Sequence, residues 1–185
     1  VIFSDGGPGC RWMGNEHGFA GATNWSFLRT GEVYPGYPKY RELQYGHADG
    51  NQWVAAECDV SIRPGWFYHP EEDDRVKTVD ELTDLYYRSV GHNATLLLNF
   101  PVDRDGLIHP TDSANAVNFH QNVQKQLAHN LLAGLSPKAS DERGRTFSAK
   151  AVTDGDYDTY WATNDDVISA TIEFDLPQAE KINRM

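Results

Sequence analysis

The spacing of hydrophobic residues in the first part of the chain predicts short buried strands. Apolar runs at residues 1–4 and 57–62 indicate two of them. The continuous run Thr95–Phe100 is typical of a parallel strand that is buried on both faces. Turn signals at residues 35–38 and 46–50 mark an irregular segment between the first two runs.

Two further segments have apolar residues at helical intervals. The first begins at Thr78, which has capping-box spacing with Glu81, and Gly91 is placed to end it. The second extends over about residues 112–133, and Gly134 follows as its stop. Strands and helices in this order predict a parallel α/β arrangement. Three predicted strands are too few for the eight of a closed barrel, so a barrel would be represented by its C-terminal portion.

The composition changes at Ser136, where a polar segment with features of a linker begins. Beyond it, Ala170–Leu176 alternates strictly between apolar and polar residues, which is typical of a half-exposed antiparallel strand. We therefore predict an α/β domain over 1–135, a linker over 136–147 and the start of an antiparallel β-sandwich over 148–185. Both ends are expected to lie inside a longer natural protein.

Charge and composition exclude several classes of function. The formal net charge is −11, so we expect no binding to nucleic acid or to an anionic membrane surface, because both require a basic surface. No apolar stretch approaches the roughly 20 residues that span a bilayer, so no membrane insertion is expected. Aromatic residues make up 12% of the chain, which suits either stacking on sugar rings or a large aromatic core.

The glycine-rich segment 5–18 has the densest candidate chemistry, with Arg11, Trp12 and Glu16 among flexible glycines. It follows the apolar run 1–4, and loops that follow strands build the active face of an α/β barrel. Asn99 ends another predicted strand, so it could lie on the same face or could hydrogen-bond the next loop.

The cysteines and histidines give no sign of a metal site or of a catalytic thiol. Cys10 and Cys58 are predicted to be free, partly buried thiols in preference to a disulfide. His17, His69 and His92 are interpreted as structural residues, because their spacing is not that of metal ligands.

Three motifs carry a resemblance to a known family: residues 11–16 (Arg-Trp-Met-Gly-Asn-Glu), residues 57–69 (Glu-Cys-Asp-Val-Ser-Ile-Arg-Pro-Gly-Trp-Phe-Tyr-His), and residues 90–108. They resemble glycoside hydrolase family 29, the α-L-fucosidases. The form Gly14-Asn15-Glu16 is similar to the branch that prefers α-1,3/1,4-linked fucose. The resemblance implies a (β/α)8-like barrel and a retaining exo-hydrolase that acts on a fucosylated oligosaccharide and needs no cofactor for catalysis.

The resemblance also implies roles for individual residues. Glu16 is expected to be the catalytic acid/base, with Glu57 as the reserve candidate. Arg11 and Trp12 are expected to line the fucose pocket, and Trp66 to pack against the apolar edge of the sugar. The nucleophile, an Asp in a Trp-x-Asp-Gly type motif, is expected upstream of this chain, so the chain by itself is expected to be inactive.

Other interpretations stay open at this point. Asp5 is followed by glycine like the nucleophile, but it lies in the next strand's loop and is interpreted as a structural or pocket acid. Glu16 could be a surface acid and Trp66 a core residue. The alternative function is a non-catalytic carbohydrate-binding protein. Glycosidases with appended β-sandwiches are usually exported, so a periplasmic or secreted location is expected.

Residues 148–163 and the strand Ala170–Leu176 resemble the start of a discoidin-like (galactose-binding-like) β-sandwich. In several members this loop holds a structural Ca²⁺, an ion that takes six to eight oxygen ligands. Asp154, Asp156 and Thr159 are the candidate ligands, and an acidic turn without an ion is the equal alternative.

Overall fold

A computed structural model describes residues 3–182 of the chain. The chain divides into two compact units, Val1–Gln126 and Leu127–Met185. In chain order, the strands are β1 (Phe3–Ser4), β2 (Cys10–Trp12), β3 (Phe27–Leu28), β4 (Gln52–Trp53), β5 (Ala55–Ser61), β6 (Thr95–Asn99), β7 (Lys138–Ala139) and β8 (Ile172–Glu173), and the α-helices are α1 (Val79–Ser89) and α2 (Pro110–Leu127).

The first unit is built on a four-stranded parallel sheet with the order β1-β2-β5-β6. The predicted parallel α/β arrangement is therefore confirmed. That this sheet is the C-terminal portion of a barrel stays a prediction. Of the first predicted strand, Val1 and Ile2 lie outside the described residues.

Strand β2 was missed by the sequence analysis, which assigned its residues to a glycine-rich loop. Cys10 pairs with Phe3 on one side and with Ala55 on the other, so β2 lies between β1 and β5. Three residues flanked by glycines give no periodicity signal. The segment becomes a strand because it pairs with β1, from which a turn separates it, and with β5, which is distant in sequence.

Helix α1 begins and ends close to the predicted residues. The capping box at Thr78 is confirmed, because Thr78 Oγ1 accepts a hydrogen bond from the Glu81 N–H (3.3 Å) and the Glu81 carboxylate accepts one from the Thr78 N–H (2.8 Å). Helix α2 ends at Leu127, which corrects the prediction of a helix to residue 133. The Asn130 side chain accepts a hydrogen bond from the Leu132 N–H (3.0 Å), a local turn that competes with helical hydrogen bonding.

The two faces of the sheet differ in character because side chains alternate along each strand. On β5, Ala56, Cys58 and Val60 face the same way and are buried. Leu82 and Leu85 of α1 pack with Val60 on this face. The opposite face of β5 carries polar and acidic side chains.

Strand β6 is not buried on both faces, which corrects the expectation for the run Thr95–Phe100. Leu96 and Leu98 pack against the buried cluster beneath α1, whereas Leu97 is 46% exposed. In the described part of the chain β6 pairs with β5 alone, and Leu97 lies opposite Asp59 on the face that α1 leaves uncovered. Its apolar residues are therefore covered on one side of the sheet.

An apolar groove of about 500 Å³ lies where β6 meets the two helices. None of the candidate site side chains line it. Its lining consists of Tyr86, Val90, Ala94, Thr95, Leu96, Leu98, Phe119, His120 and Val123.

The second unit contains the antiparallel pair β7 and β8, in which Lys138 lies opposite Glu173. Strand β7 falls inside the segment 136–147 that was predicted as a linker. The predicted strand Ala170–Leu176 is reduced to two residues, although its antiparallel pairing is as expected. That this pair begins a β-sandwich stays a prediction. Within residues 3–182, no helix is both long and apolar enough to cross a bilayer.

Candidate active site

Three carboxylates, those of Glu16, Glu57 and Asp59, lie near one another at the polar face of the sheet. Glu57 and Asp59 are two residues apart on β5 and therefore face the same way. Asp59 is 8% exposed and its Oδ1 accepts a hydrogen bond from Trp12 Nε1 (2.8 Å). Burial raises the pKa of Asp59, the Trp12 hydrogen bond opposes this rise, and the nearby charges of Glu16 and Glu57 add to it. The acidic groups therefore interact electrostatically.

The turn that presents Glu16 is fixed by its neighbours. Gly14 has a φ of +73°, and a Cβ at this position would lie 2.2 Å from the Tyr40 carbonyl oxygen, so a side chain does not fit. The Asn15 side chain donates to the Phe19 carbonyl (3.0 Å) and accepts from the His17 N–H (3.0 Å). The Gly-Asn pair thus folds the chain so that the Glu16 carboxylate points outward.

Glu16 and Trp66 are in contact at the carboxyl-terminal end of the polar face of the sheet. Trp66 Nε1 donates a hydrogen bond to Glu16 Oε2 over 2.9 Å. Trp66 is half-buried and Glu16 is exposed. The contact joins the loop after β2 to the loop after β5, both at the carboxyl ends of parallel strands, where α/β enzymes build their sites.

The loop that carries Trp66 is anchored by a buried ion-pair network. Arg63 is fully buried and donates to both carboxylate oxygens of Asp112 (2.8 Å each) and to Asp73 (2.9 Å). The ring of Tyr68 lies 4.6 Å from the guanidinium carbon of Arg63. These contacts hold the loop against the first turn of α2.

The two predicted sugar-binding residues of β2 lie on opposite faces of the sheet. Trp12 faces the carboxylates and stacks on Tyr40, with ring centres 6.2 Å apart. Arg11 is fully buried and donates to the carbonyl oxygens of Leu43 (3.2 Å) and Val54 (2.9 Å) and to the Asn24 side chain. Burial lowers the pKa of Arg11 to about 10. Its contacts organise the loop between β2 and β5, and they give no support to the expectation that Arg11 lines a sugar pocket.

Asp5 holds a turn. Its Oδ2 accepts hydrogen bonds from the backbone N–H groups of Gly36 (2.8 Å) and Tyr37 (3.1 Å). This contact agrees with the interpretation of Asp5 as a structural acid.

Cys10 and Cys58 are both free, as predicted, and both are buried, although only partial burial was predicted. Cys10 is on the polar face, where its thiol contacts Glu57 (3.5 Å), whereas Cys58 is on the covered face with Ala56. Burial raises the pKa of Cys58 to about 12, so this thiol stays protonated at neutral pH.

The candidate calcium ligands form a turn that is closed by hydrogen bonds among its own residues. Asp154 accepts hydrogen bonds from the Asp156 N–H (2.9 Å) and from Thr159 Oγ1 (2.8 Å), and these bonds lower its pKa. All three residues are exposed. Among the described residues, no group of three or more His, Cys, Asp or Glu side chains is arranged to hold a metal ion. The turn is closed by its own hydrogen bonds, and a Ca²⁺ ion bound at Asp154, Asp156 and Thr159 stays a prediction beside the acidic turn without an ion.

Two acidic residues were missed by the sequence analysis. Asp59 could have been found, because it follows Glu57 by two positions on a predicted strand. Asp112 carried no local signal, since its partner Arg63 is 49 residues away.

Comparison with known proteins gives close relatives over most of the chain, although no protein-family model matches it. The chain is 42% identical over 170 residues to α-L-fucosidase 1 of Arabidopsis thaliana, covering 88% of this chain and 32% of that protein. It is 40% identical over an alignment of 189 residues to an Oryza sativa subsp. japonica protein assigned as α-L-fucosidase 1, covering 99% of this chain and 36% of that protein.

Solved structures of fucosidases are also similar to this chain. A Bacteroides thetaiotaomicron protein assigned as an α-L-fucosidase superposes with a TM-score of 0.87 at 44% identity, over 96% of this chain and 40% of that one. A Ruminococcus gnavus GH29 fucosidase in complex with fucose superposes with a TM-score of 0.79 at 33% identity, over 93% of this chain and 35% of that one.

Over nearly its whole length the chain is similar to part of proteins that are named as glycoside hydrolases. The matched proteins are α-L-fucosidases, and one of the solved structures is a family 29 fucosidase. The chain spans about a third of the length of the curated relatives it matches (36% and 32%).

Proposed function

We propose that this chain is part of a retaining exo-α-L-fucosidase that releases terminal α-1,3/1,4-linked L-fucose from oligosaccharides or glycoconjugates. The observation that carries the proposal is the contact between Glu16 and Trp66 at the carboxyl ends of β2 and β5. It joins an exposed carboxyl group to an aromatic ring, the combination needed to protonate a glycosidic oxygen while a sugar rests on an apolar surface. A neutral fucosylated substrate is compatible with the net charge of −11.

In this proposal Glu16 acts twice. Its carboxylic acid first protonates the leaving oxygen of the glycosidic bond, and the resulting carboxylate then takes a proton from the attacking water. An Asp from outside this chain attacks the anomeric carbon and forms the glycosyl-enzyme intermediate between these steps. The Trp66 ring supports the apolar edge of fucose, and Trp12 extends this surface from its hydrogen bond with Asp59. Glu57 remains the reserve candidate for the acid/base.

The 185-residue chain alone is proposed to be inactive, because the carboxylate pair is incomplete without the upstream Asp. We propose that Asp5 is structural, because its Oδ2 accepts hydrogen bonds from two backbone N–H groups and so holds a turn. We further propose that the natural protein is periplasmic or secreted. No observation favours the non-catalytic alternative.

The decisive experiment compares Glu16→Gln with wild type in a protein extended upstream to the length of its relatives. We expect kcat/KM on an α-1,3/1,4-fucosylated trisaccharide to fall by about 10²–10⁴-fold. Glu32→Gln is the matched control, since Glu32 is an exposed carboxylate between β3 and β4 that pairs with Arg29. On an aryl fucoside with a strongly acidic leaving group the first step needs no proton, so the Glu16→Gln loss in that step should be much smaller.

Two outcomes contradict parts of the proposal. If Glu16→Gln keeps its activity while Glu57→Gln loses it, the acid/base is Glu57. Turnover by the 185-residue chain alone would refute the proposal that the chain lacks its nucleophile.

A further inference from the structure

We infer that Asn99 is a positioning residue, whose side-chain amide fixes the Trp66 loop so that the indole N–H meets the Glu16 carboxylate. The inference rests on the proposed function of Glu16 and deepens it. It concerns a residue that touches neither the proposed acid/base nor the sugar, and that acts through the backbone of Trp66.

The amide of Asn99 bridges two strands and a loop. Asn99 Nδ2 donates one hydrogen bond to Ser61 Oγ (3.1 Å) and another to the Trp66 carbonyl oxygen (3.1 Å). The backbone carbonyl oxygen of Asn99 accepts a hydrogen bond from the Ile62 N–H (3.0 Å), and Asn99 lies opposite Ser61 in the register of the sheet. The side chain therefore projects from a backbone that the sheet already holds in place.

The two ends of the Trp66 loop are held separately. At its start, the Arg63 N–H donates to Ser61 Oγ (3.3 Å), so Asn99 and Arg63 share the same hydroxyl oxygen. At its end, Arg63 Nη1 donates to the His69 carbonyl oxygen (3.4 Å). The middle of the loop lies between these anchors, and there Asn99 holds the Trp66 carbonyl.

Packing contributes little to this middle part. A Cβ placed on Gly65 would meet nothing within 4 Å, and Phe67 on the other side is 79% exposed. With open space on both sides of Trp66, a polar contact has to define the path of its backbone. The indole ring is attached to that backbone, so the Asn99 hydrogen bond sets the distance of 2.9 Å between Trp66 Nε1 and Glu16 Oε2.

The test uses the isosteric variant Asn99→Asp, whose carboxylate has no N–H to donate to the Trp66 carbonyl. The probe is the indole N–H signal of Trp66 in NMR spectra of the upstream-extended protein, assigned through Trp66→Phe. In wild type the hydrogen bond to the Glu16 carboxylate should shift this signal downfield, and Glu16→Ala should abolish the shift. Asn99→Asp, and equally Asn99→Ala, should lose the shift while the Trp12 signal stays unchanged.

The matched control is Asn122→Ala, which removes a similar hydrogen bond from an amide to the Thr83 hydroxyl (3.0 Å) on the helical side of the sheet. It should leave the Trp66 signal as in wild type. In the upstream-extended enzyme, Asn99→Asp should lower kcat by about 2–10-fold with KM little changed, the effect of one misplaced hydrogen bond.

The inference is overturned if the Trp66 signal of folded Asn99→Asp keeps its wild-type position, with the fold checked by circular dichroism. If both Asn99 variants unfold, Asn99→Ser is used instead, because its hydroxyl is one bond too short to reach the Trp66 carbonyl oxygen. A wild-type Trp66 signal in that variant together with normal kcat would also overturn the inference. If Glu16→Gln retains full fucosidase activity while Trp66 still depends on Asn99, the proposed role of Glu16 fails and the positioning by Asn99 stands.

Discussion

Arg63 and Asp112 are 49 residues apart in the chain, and the structure joins them by two hydrogen bonds of 2.8 Å with both side chains fully buried. Arg63 follows β5 and Asp112 lies in the first turn of α2, where a negative charge is favoured by the helix dipole. This pair ties the segment that carries Trp66 to the helical layer of the fold.

Removing one partner of the Arg63–Asp112 ion pair should strongly lower the free energy of unfolding. Asp112→Ala leaves the Arg63 charge buried with one acidic partner, Asp73, and we expect the unfolding free energy to fall by about 3–5 kcal/mol. Urea denaturation measures the difference. The exposed pair Arg88–Asp84 (3.4 Å) is the control, since Asp84→Ala should cost about 0.3–0.5 kcal/mol. Equal losses in the two variants would contradict the role of the buried pair.

Two substitutions of Trp66 should distinguish its contribution to sugar binding from its contribution to catalysis. Trp66→Phe keeps an apolar ring but removes the N–H that contacts Glu16, so in the upstream-extended enzyme kcat should fall by about 2–10-fold with little change in KM. Trp66→Ala also removes the surface for the sugar, so KM should rise as well. Steady-state kinetics on the fucosylated trisaccharide distinguish the two, and an increase in KM alone for Trp66→Phe would argue against the hydrogen bond.

Asp59 should reduce stability at neutral pH. Its pKa is raised above the ordinary value of 3.8, so the folded state binds the proton more tightly than the unfolded state and ionisation disfavours folding. Asp59→Asn keeps an acceptor for the Trp12 N–H without the charge, and it should be more stable than wild type at pH 7. The gain should shrink as pH falls through the folded pKa of Asp59. Urea denaturation at pH 7 and at pH 3 measures it, and a gain that grows towards acid would have the wrong sign.

The capping box of α1 should show the opposite pH dependence. Hydrogen bonds from the Thr78 backbone and side chain lower the pKa of Glu81, so this carboxylate stabilises the fold above its unfolded pKa and loses the effect as pH falls through the folded pKa. Thr78→Ala should cost about 1 kcal/mol at pH 7 and less in acid. The exposed Thr23→Ala is the control, with little change expected at either pH. Thermal or urea unfolding of Thr78→Ala at neutral and at acidic pH measures the loss of stability. An equal loss at both pH values would show that Glu81 is not involved.

The features that could be predicted from the sequence are those encoded by neighbouring residues. The spacing of Thr78 and Glu81 predicted the start of α1, and apolar runs predicted most of β5 and β6. The motif around Glu16 and the motif around Trp66 pointed to the same family, and the structure brings these two residues into contact. Each of these signals depends on a few consecutive positions, which the sequence displays directly.

Contacts between distant segments decided the rest. Strand β2 exists because two other strands pair with it, and its alternation turns Arg11 away from Trp12 and into the covered side of the sheet. Asp59, Asn99 and Asp112 gain their roles from partners 47, 33 and 49 residues away. Local spacing carries no information about such pairs, because burial and hydrogen bonding between remote residues are fixed only when the whole unit folds.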